Sequence, residues 1–445
     1  MGFEEYLKQC TEQIRCKAMR PVIEKELRNH LEEQKEAYLA DGLEVDKAEE
    51  KAVRDMGDPV ETGTGLDRVH RPRMDFKTLG LILLLAAAGI VVQFMLADQG
   101  MTQGGFLRFV RNTGLGILVM FFACFVDYTV IGKHPRLLWC VCLGLAVVVS
   151  RLTPRMNGQR NIVWLVMLFV PAFAGIVFFY RSQRLPGAGK VLAWLAVSML
   201  VLEWLSDLTL TGELLLGLGG LLLLFFAVAK GWYGIKRRWA LAIPALLAVM
   251  TVPLVLCMLA ANGFRAMRLR AWLNPSADVD GVGYLPNLIS QEIGQIRFTM
   301  QRMTALADPL FWKQNSEDYT LLLLMRLYGW IVAAVILLLL AALTALLVYR
   351  LFRQKNRLGM LVGTGCIWVF LGMASVHVLM NFGLLPATAC SLPFISMNGK
   401  QGLALYWLMG MLLSVFRTTT TLPEPEAKKD VFGWRLVLVR DASRR

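Results

Sequence analysis

The sequence predicts an all-α protein that crosses a membrane about ten times and carries a small charged helical domain ahead of the first crossing. Three observations predict this. Of 445 residues, 56% are hydrophobic and only 18% are charged, whereas a soluble globular chain has roughly a quarter charged residues. The apolar residues sit in long blocks, with a mean hydropathy of +0.51, and a block of about 20 apolar residues spans the hydrocarbon core as one helix. The alternation over about 10 residues that marks a membrane β-strand is not present.

Residues 1–72 read as a separate unit of three short amphipathic helices. Phe3, Tyr6, Leu7, Cys10 and Ile14 recur at helical spacing. Pro21 suits the first turn of a second helix, which carries Ile23, Leu27, Leu31 and Tyr38 on one face and is capped by Gly42. Asp46 and Glu49 have capping-box spacing ahead of Ala52, Val53 and Met56, a third helix closed by Gly57 and stopped at Asp58-Pro59. A core this small is marginal by itself, and its charged faces read as solvated.

Ten spans follow, near 78–97, 113–131, 137–150, 162–180, 189–205, 209–229, 239–260, 320–349, 358–385 and 401–416. The first 75 residues are charged, so the first apolar block is expected to act as an internal anchor. The net charge of +14 would suggest nucleic acid in a soluble protein. Here the basic residues fall in short loops, as membrane topology demands, and no nucleic-acid partner is expected. With the N-terminus inside, Lys133 and Arg136, Arg181 and Arg184, Lys230 to Arg238, Arg350 to Arg357 and a basic tail at 419–445 all lie on the cytoplasmic side. The loop 151–161, with Arg151, Arg155 and Arg160, falls outside and breaks the pattern, as arginines facing anionic phosphates would. The loop 261–319 is also outside and is long enough to be functional. Eight scattered cysteines give neither a disulfide framework nor zinc spacing, and with only four histidines no histidine metal site is expected.

The run Gly383-Leu384-Leu385-Pro386-Ala387-Thr388-Ala389-Cys390-Ser391-Leu392-Pro393-Phe394-Ile395-Ser396 resembles the GLLPxTGxxLPFxS signature of the SEDS family, the FtsW/RodA/SpoVE proteins. Weaker matches follow in family order: Asp127-Tyr128; Asn157-Gly158 with Arg160; Ser206-Asp207-Leu208; Arg268 with Leu273-Asn274-Pro275 and Gly283-Tyr284; and Asp318 with Gly329. The resemblance covers about 76–418. The ending of the N-terminal unit, Met56-Gly57-Asp58-Pro59, is similar to a permease-prefix domain, a module that names no function. The chain also departs from the pattern. Pro171-Ala172-Phe173 lacks the QPSE glutamate, Arg326-Leu327 stands where the family has two glutamates, the GGxxGxG run is absent, Ser396-Met397-Asn398-Gly399-Lys400-Gln401 replaces SYGGSS, and His377 replaces an asparagine.

The resemblance implies a peptidoglycan glycosyltransferase that polymerises lipid II, the undecaprenyl-pyrophosphate-linked precursor, in the bacterial plasma membrane during cell-wall synthesis, division or shape control. Such an enzyme would have both termini cytoplasmic and would work with a class B penicillin-binding protein. The chemistry needs a carboxylate to take the proton of the attacking sugar hydroxyl. It also needs cations where charge develops on the departing pyrophosphate. Asp318 matches the family's catalytic aspartate; read from its position alone, ahead of an apolar span, it is a helix N-cap. Glu317 reads as its solvated neighbour. Arg268 and Arg160 are the pyrophosphate candidates, with snorkelling arginines as the plain alternative. Asp207, at an outer helix end, is either a third substrate contact or a cap. Pro386, Thr388, Pro393 and Ser396 are expected to shape a self-satisfied outer loop, and His377 to be a packing histidine. No cofactor and no metal ligand set is evident, although a divalent cation could accompany the pyrophosphate. Two other readings stay open. A precursor transporter (flippase) would need a charged path through the bilayer, and few charges sit mid-span, mainly Asp127 near an inner end, Glu213 and His377, with no continuous path evident. An inactive relative that binds a partner is favoured by the missing glutamates and opposed by Asp318.

Overall fold

The computed structural model describes residues 2–15, 19–70, 74–101, 105–154, 160–206, 209–236, 264–298, 300–302 and 306–418. Among these every regular element is helical. The expected span at 239–260 and the tail 419–445 lie outside the described residues.

The N-terminal unit has four helices rather than three: α1 (Phe3–Glu12), α2 (Arg20–Ala40), α3 (Val45–Asp55) and α4 (Pro59–His70). Helix α3 ends ahead of Asp58-Pro59 as expected, and Pro59 then opens α4, where its missing N–H costs nothing. Asp58 caps that helix, accepting from the Glu61 N–H at 2.9 Å. The capping box at Asp46 is not formed. Helix α3 begins at Val45, and Glu49 instead pairs with Lys35 at 2.7 Å. The side chains placed on the apolar faces by their spacing do pack together: Tyr6, Leu7, Cys10, Ile14, Ile23, Leu27, Leu31, Ala52 and Val53 form one buried cluster, with Phe3, Tyr38 and Met56 against it. Gly42 and Gly57 take positive φ of 88° and 79° at helix ends, the conformation expected of C-terminal caps.

The rest of the described chain is a helical bundle. Its long members are α5 (Phe76–Asp98), α6 (Gly105–Phe125), α8 (Pro135–Leu152), α9 (Val163–Phe179), α10 (Arg184–Ser206), α11 (Leu210–Ala229), α16 (Trp330–Phe352), α17 (Arg357–Asn381) and α18 (Gly399–Arg417). A short turn of helix, α7 (Val130–Lys133), joins α6 to α8. Among the described residues, seven stretches are long and apolar enough to cross a membrane, and one of them, Val163–Glu203, contains α9 and most of α10. The chain is a multi-pass membrane protein. Helix α9 is apolar all round and buried along nearly its whole length, which puts it at the bundle centre. It packs on α8, α11, α17 and α18. Trp139 of α8 locks α10 by donating to the Ser198 hydroxyl at 2.9 Å. At one end of the bundle Asp75 caps α5 and pairs with Arg350 of α16 at 2.8 Å.

The expected span at 320–349 is two helices, α15 (Thr320–Tyr328) and α16. The break is Gly329, at φ 86°, where a Cβ would lie 2.5 Å from the Phe298 carbonyl oxygen. An unbroken apolar run hides this turn. Between α11 and α15 lie three shorter helices, α12 (Phe264–Leu273), α13 (Tyr284–Gly294) and α14 (Pro309–Gln314).

Close backbone approach also fixes α5. A Cβ on Gly89 would sit 2.1 Å from the Phe394 carbonyl oxygen, and one turn on, Gln93 donates to the Ile395 carbonyl at 2.7 Å. Gly→Ala inside a helix ordinarily gains about 0.5–1 kcal/mol. Gly80→Ala, with nothing within 4 Å, should therefore raise the melting temperature in detergent. Gly89→Ala should lower it, and equal shifts would show that α5 does not rest on this loop.

Candidate active site

The segment after α17 turns at Gly383 and returns toward the core through the run Pro386 to Ser396 before α18 begins. Several of its backbone groups are held by side chains, some of them from neighbouring elements. The Thr388 and Thr211 hydroxyls are 3.0 Å apart. Ser396 takes the Leu392 N–H at 2.8 Å and meets the Thr320 hydroxyl at 2.9 Å. Gln401 accepts from the Ser391 N–H at 3.1 Å. Phe394 holds a φ of 65°, in the left-handed region that bulky residues avoid. Gln93 on the next carbonyl and Gly89 under its own clamp it there.

Asp318 stands where this loop meets α15. Its carboxylate does not cap its own helix: the N-cap position is Tyr319, with no side-chain cap bond. Instead Asp318 Oδ1 accepts from the Cys390 N–H at 3.0 Å, across 72 positions of sequence. Loss of solvent pushes its carboxyl up from 3.8 to about 7; the nearby Glu317 adds to the rise and the Cys390 N–H opposes it. Glu317 is not the fully solvated neighbour expected. It is half-buried, and desolvation raises its carboxyl while Arg108 holds it down.

Two residues on α17 hold this turn. Asn381 Nδ2 donates to the Asp318 carbonyl at 3.0 Å and to the His377 carbonyl at 2.8 Å, and its Oδ1 accepts from the Leu322 N–H at 2.9 Å. His377 Nδ1 lies 2.9 Å from the Cys390 carbonyl oxygen. One residue's backbone, that of Cys390, thus touches Asp318 through its nitrogen and His377 through its carbonyl. Asn381 escaped the reading of the sequence, although it lies four residues after His377 on the same helix face.

Arg268 comes to the same place from α12. It and Asp318 both act electrostatically on the buried Tyr319 phenol, and burial lowers the guanidinium from its ordinary value. The Tyr319 ring is fixed against Trp312, with centroids 5.2 Å apart. Arg268 also lines a cavity of about 500 Å³ with Trp272, Asp278, Tyr284, Pro386 and Ala387. The structure therefore brings together Asp318, Arg268 and the loop that carries Pro386.

Arg160 precedes α9. Pro171 of α9 faces Gly365 of α17, and Met167 and Met373 line one small cavity. The two helices are therefore antiparallel, and Arg160 lies toward the Asn381 end of the bundle. Its Nε and Nη1 are buried with no hydrogen-bond partner among the described residues. Asp207 and Asn157-Gly158 lie outside the described residues. Lys400 is an exposed residue in the first turn of α18.

A family model described as "Cell cycle protein", for FtsW, RodA and SpoVE, matches residues 73–421. The chain belongs to the FtsW/RodA/SpoVE family. Stage V sporulation protein E of Bacillus subtilis is 24% identical over 378 residues, 76% of this chain and 93% of that protein. A putative peptidoglycan glycosyltransferase FtsW of Mesostigma viride is 25% identical over 158 residues; the match spans 35% of this chain and 38% of that protein. A solved chain from a peptidoglycan synthase complex that coordinates polymerization and crosslinking superposes with a TM-score of 0.63 at 18% identity, covering 78% of this chain and 98% of that one. At that identity the superposition establishes the fold.

Proposed function

We propose that the chain is a peptidoglycan glycosyltransferase that polymerises lipid II. The observation that carries this reading is the Asp318 carboxylate, desolvated, turned away from its own helix and held by the Cys390 N–H of the family signature loop. A carboxyl with a value near 7 is ionised often enough to accept a proton at neutral pH and basic enough to take it. In the proposed reaction the acceptor sugar hydroxyl attacks the anomeric carbon of the donor, its proton passes to Asp318, and undecaprenyl pyrophosphate leaves with the bonding pair. Arg268 would steady the pyrophosphate from the wall of the 500 Å³ cavity. Arg160 and Asp207 would be further contacts.

The names of the relatives support the same reaction, and the similar synthase complex, which coordinates polymerization with crosslinking, supports a crosslinking partner. A class B penicillin-binding protein is the partner we propose. The basic loops support cytoplasmic termini, with residues 1–72 as a separate cytoplasmic module.

The purified protein, alone and with a class B partner, should convert labelled lipid II into long glycans resolved on a gel. Arg268→Gln should lower kcat/KM roughly tenfold or more, the value of one charge-assisted bond to a buried phosphate. An unchanged kcat/KM would remove Arg268 from the pyrophosphate. No polymer under any condition, with lipid II still bound, would favour the inactive, partner-binding relative.

A further inference from the structure

A second cavity lies at the other end of α15 from Asp318. It measures about 480 Å³ and is lined by Gly294, Gln295, Ile296, Arg297, Gln301, Arg302 and Arg326. Among the described residues, three arginines line it and no carboxylate does. Arg326 is committed: its Nε donates to Glu292 at 2.6 Å and its Nη2 to Gln295 at 2.6 Å, so one buried negative charge already balances it. Arg297 and Arg302 have no acidic side chain in salt-bridge range among the described residues, which leaves the cavity net positive. The side-chain oxygen of Gln301 is buried there without a hydrogen-bond partner among the described residues. The wall therefore offers cationic donors for an anion and one acceptor for a hydroxyl.

Its surroundings say where such a ligand comes from. Gly329 rests on the backbone of Arg297 and Phe298, and the apolar helix α16 starts at the next residue. Phe298, Met300 and Ile331, close in sequence to the cavity's lining residues or to that start, are 75%, 59% and 65% exposed. Exposed apolar side chains beside arginines, at the point where a membrane span begins, are the pattern of a lipid headgroup region. Along the helix, eight residues separate Arg326 from Asp318, roughly 12 Å at 1.5 Å per residue, and the two cavities share no lining residue.

We propose that this cavity binds the phosphate of an anionic phospholipid headgroup, with Arg297 and Arg302 on the phosphate oxygens and Gln301 accepting from a headgroup hydroxyl. The site is separate from that of the glycosyl transfer and does not depend on it.

The test uses the full chain purified in detergent, with dihexanoyl phosphatidylglycerol as the lipid probe and inorganic phosphate and glycerol 3-phosphate as soluble probes. Native mass spectrometry should show one phosphatidylglycerol retained by the parent. Arg297→Gln/Arg302→Gln should weaken retention by about tenfold or more, since two charge-assisted contacts are lost. Both residues line an open cavity, so the fold should survive, which an unchanged melting temperature would verify. Arg111→Gln, an exposed arginine on α6, should leave retention unchanged. Equal retention by parent and double variant, or an equal loss in Arg111→Gln, would overturn the site. Inorganic phosphate or glycerol 3-phosphate binding as tightly as the lipid would overturn the lipid source.

Discussion

Asp318→Asn is expected to abolish glycan polymerisation while leaving the protein folded. The asparagine keeps an oxygen for the Cys390 N–H, now 3.0 Å from Asp318 Oδ1, so the turn held by Asn381 should persist. What it loses is the capacity to take a proton, which contributes roughly 10²- to 10⁴-fold to rate. The pH dependence gives a second check. With the carboxyl raised to about 7, kcat/KM of the parent should climb as pH rises through 7 and then level off, because the base works only when ionised. Stability should move the opposite way. A carboxyl that ionises near 7 when folded and at its ordinary 3.8 when unfolded favours the fold fully below about 4 and loses that contribution as pH rises to 7. Asp318→Asn cannot ionise, so its melting temperature relative to the parent should rise between pH 4 and 7 and then hold constant. A parent rate flat from pH 5 to 9, or polymer made by the asparagine variant, would remove Asp318 as the base.

The parts of this site were unequally legible in the sequence. Apolar blocks located most spans to within a few residues, because burial in lipid demands continuous apolar length and little else. Two departures stand out: the expected span at 113–131 is displaced from α6, Gly105–Phe125, and Gly329 sits inside an apolar block, where composition cannot register a reversal made by one positive φ. Pro59 was ambiguous for a related reason: proline both ends and begins helices, and only the Asp58 cap decides which. Asp318 was legible through the resemblance alone, since by position an aspartate before an apolar run is a cap. Its true partner is 72 residues away, beyond any local rule. Asn381 looked like a helix end, and nothing local shows that it ties Asp318 and Leu322 together.

Arg326 is the case where a departure from the family pattern acquires a structural meaning, and it carries the second large expected effect. An arginine inside Leu-Leu-Leu-Leu-Met-Arg-Leu is costly unless paired. Here it is 2% exposed and bonded to Glu292, itself 1% exposed, which also accepts from the Ala307 N–H at 2.6 Å and the Trp312 indole N–H at 3.3 Å. The pair therefore ties α13, α14 and α15 into one body, the same body that packs Tyr319 against Trp312. Arg326→Met leaves a carboxylate buried without its cation and should cost about 3–5 kcal/mol. It should also depress polymerisation without touching substrate. Adding Glu292→Gln should restore most of the stability. The amide keeps an oxygen for Ala307 and Trp312, carries no charge, and can donate to the Gln295 oxygen that Arg326 vacates. Thermal unfolding of the parent, both single variants and the double variant in detergent closes the cycle. If Arg326→Met melts like the parent, the pair is not what holds the outer segment together. If the double variant is no better than Arg326→Met, the loss comes from packing of the long side chain rather than from stranded charge.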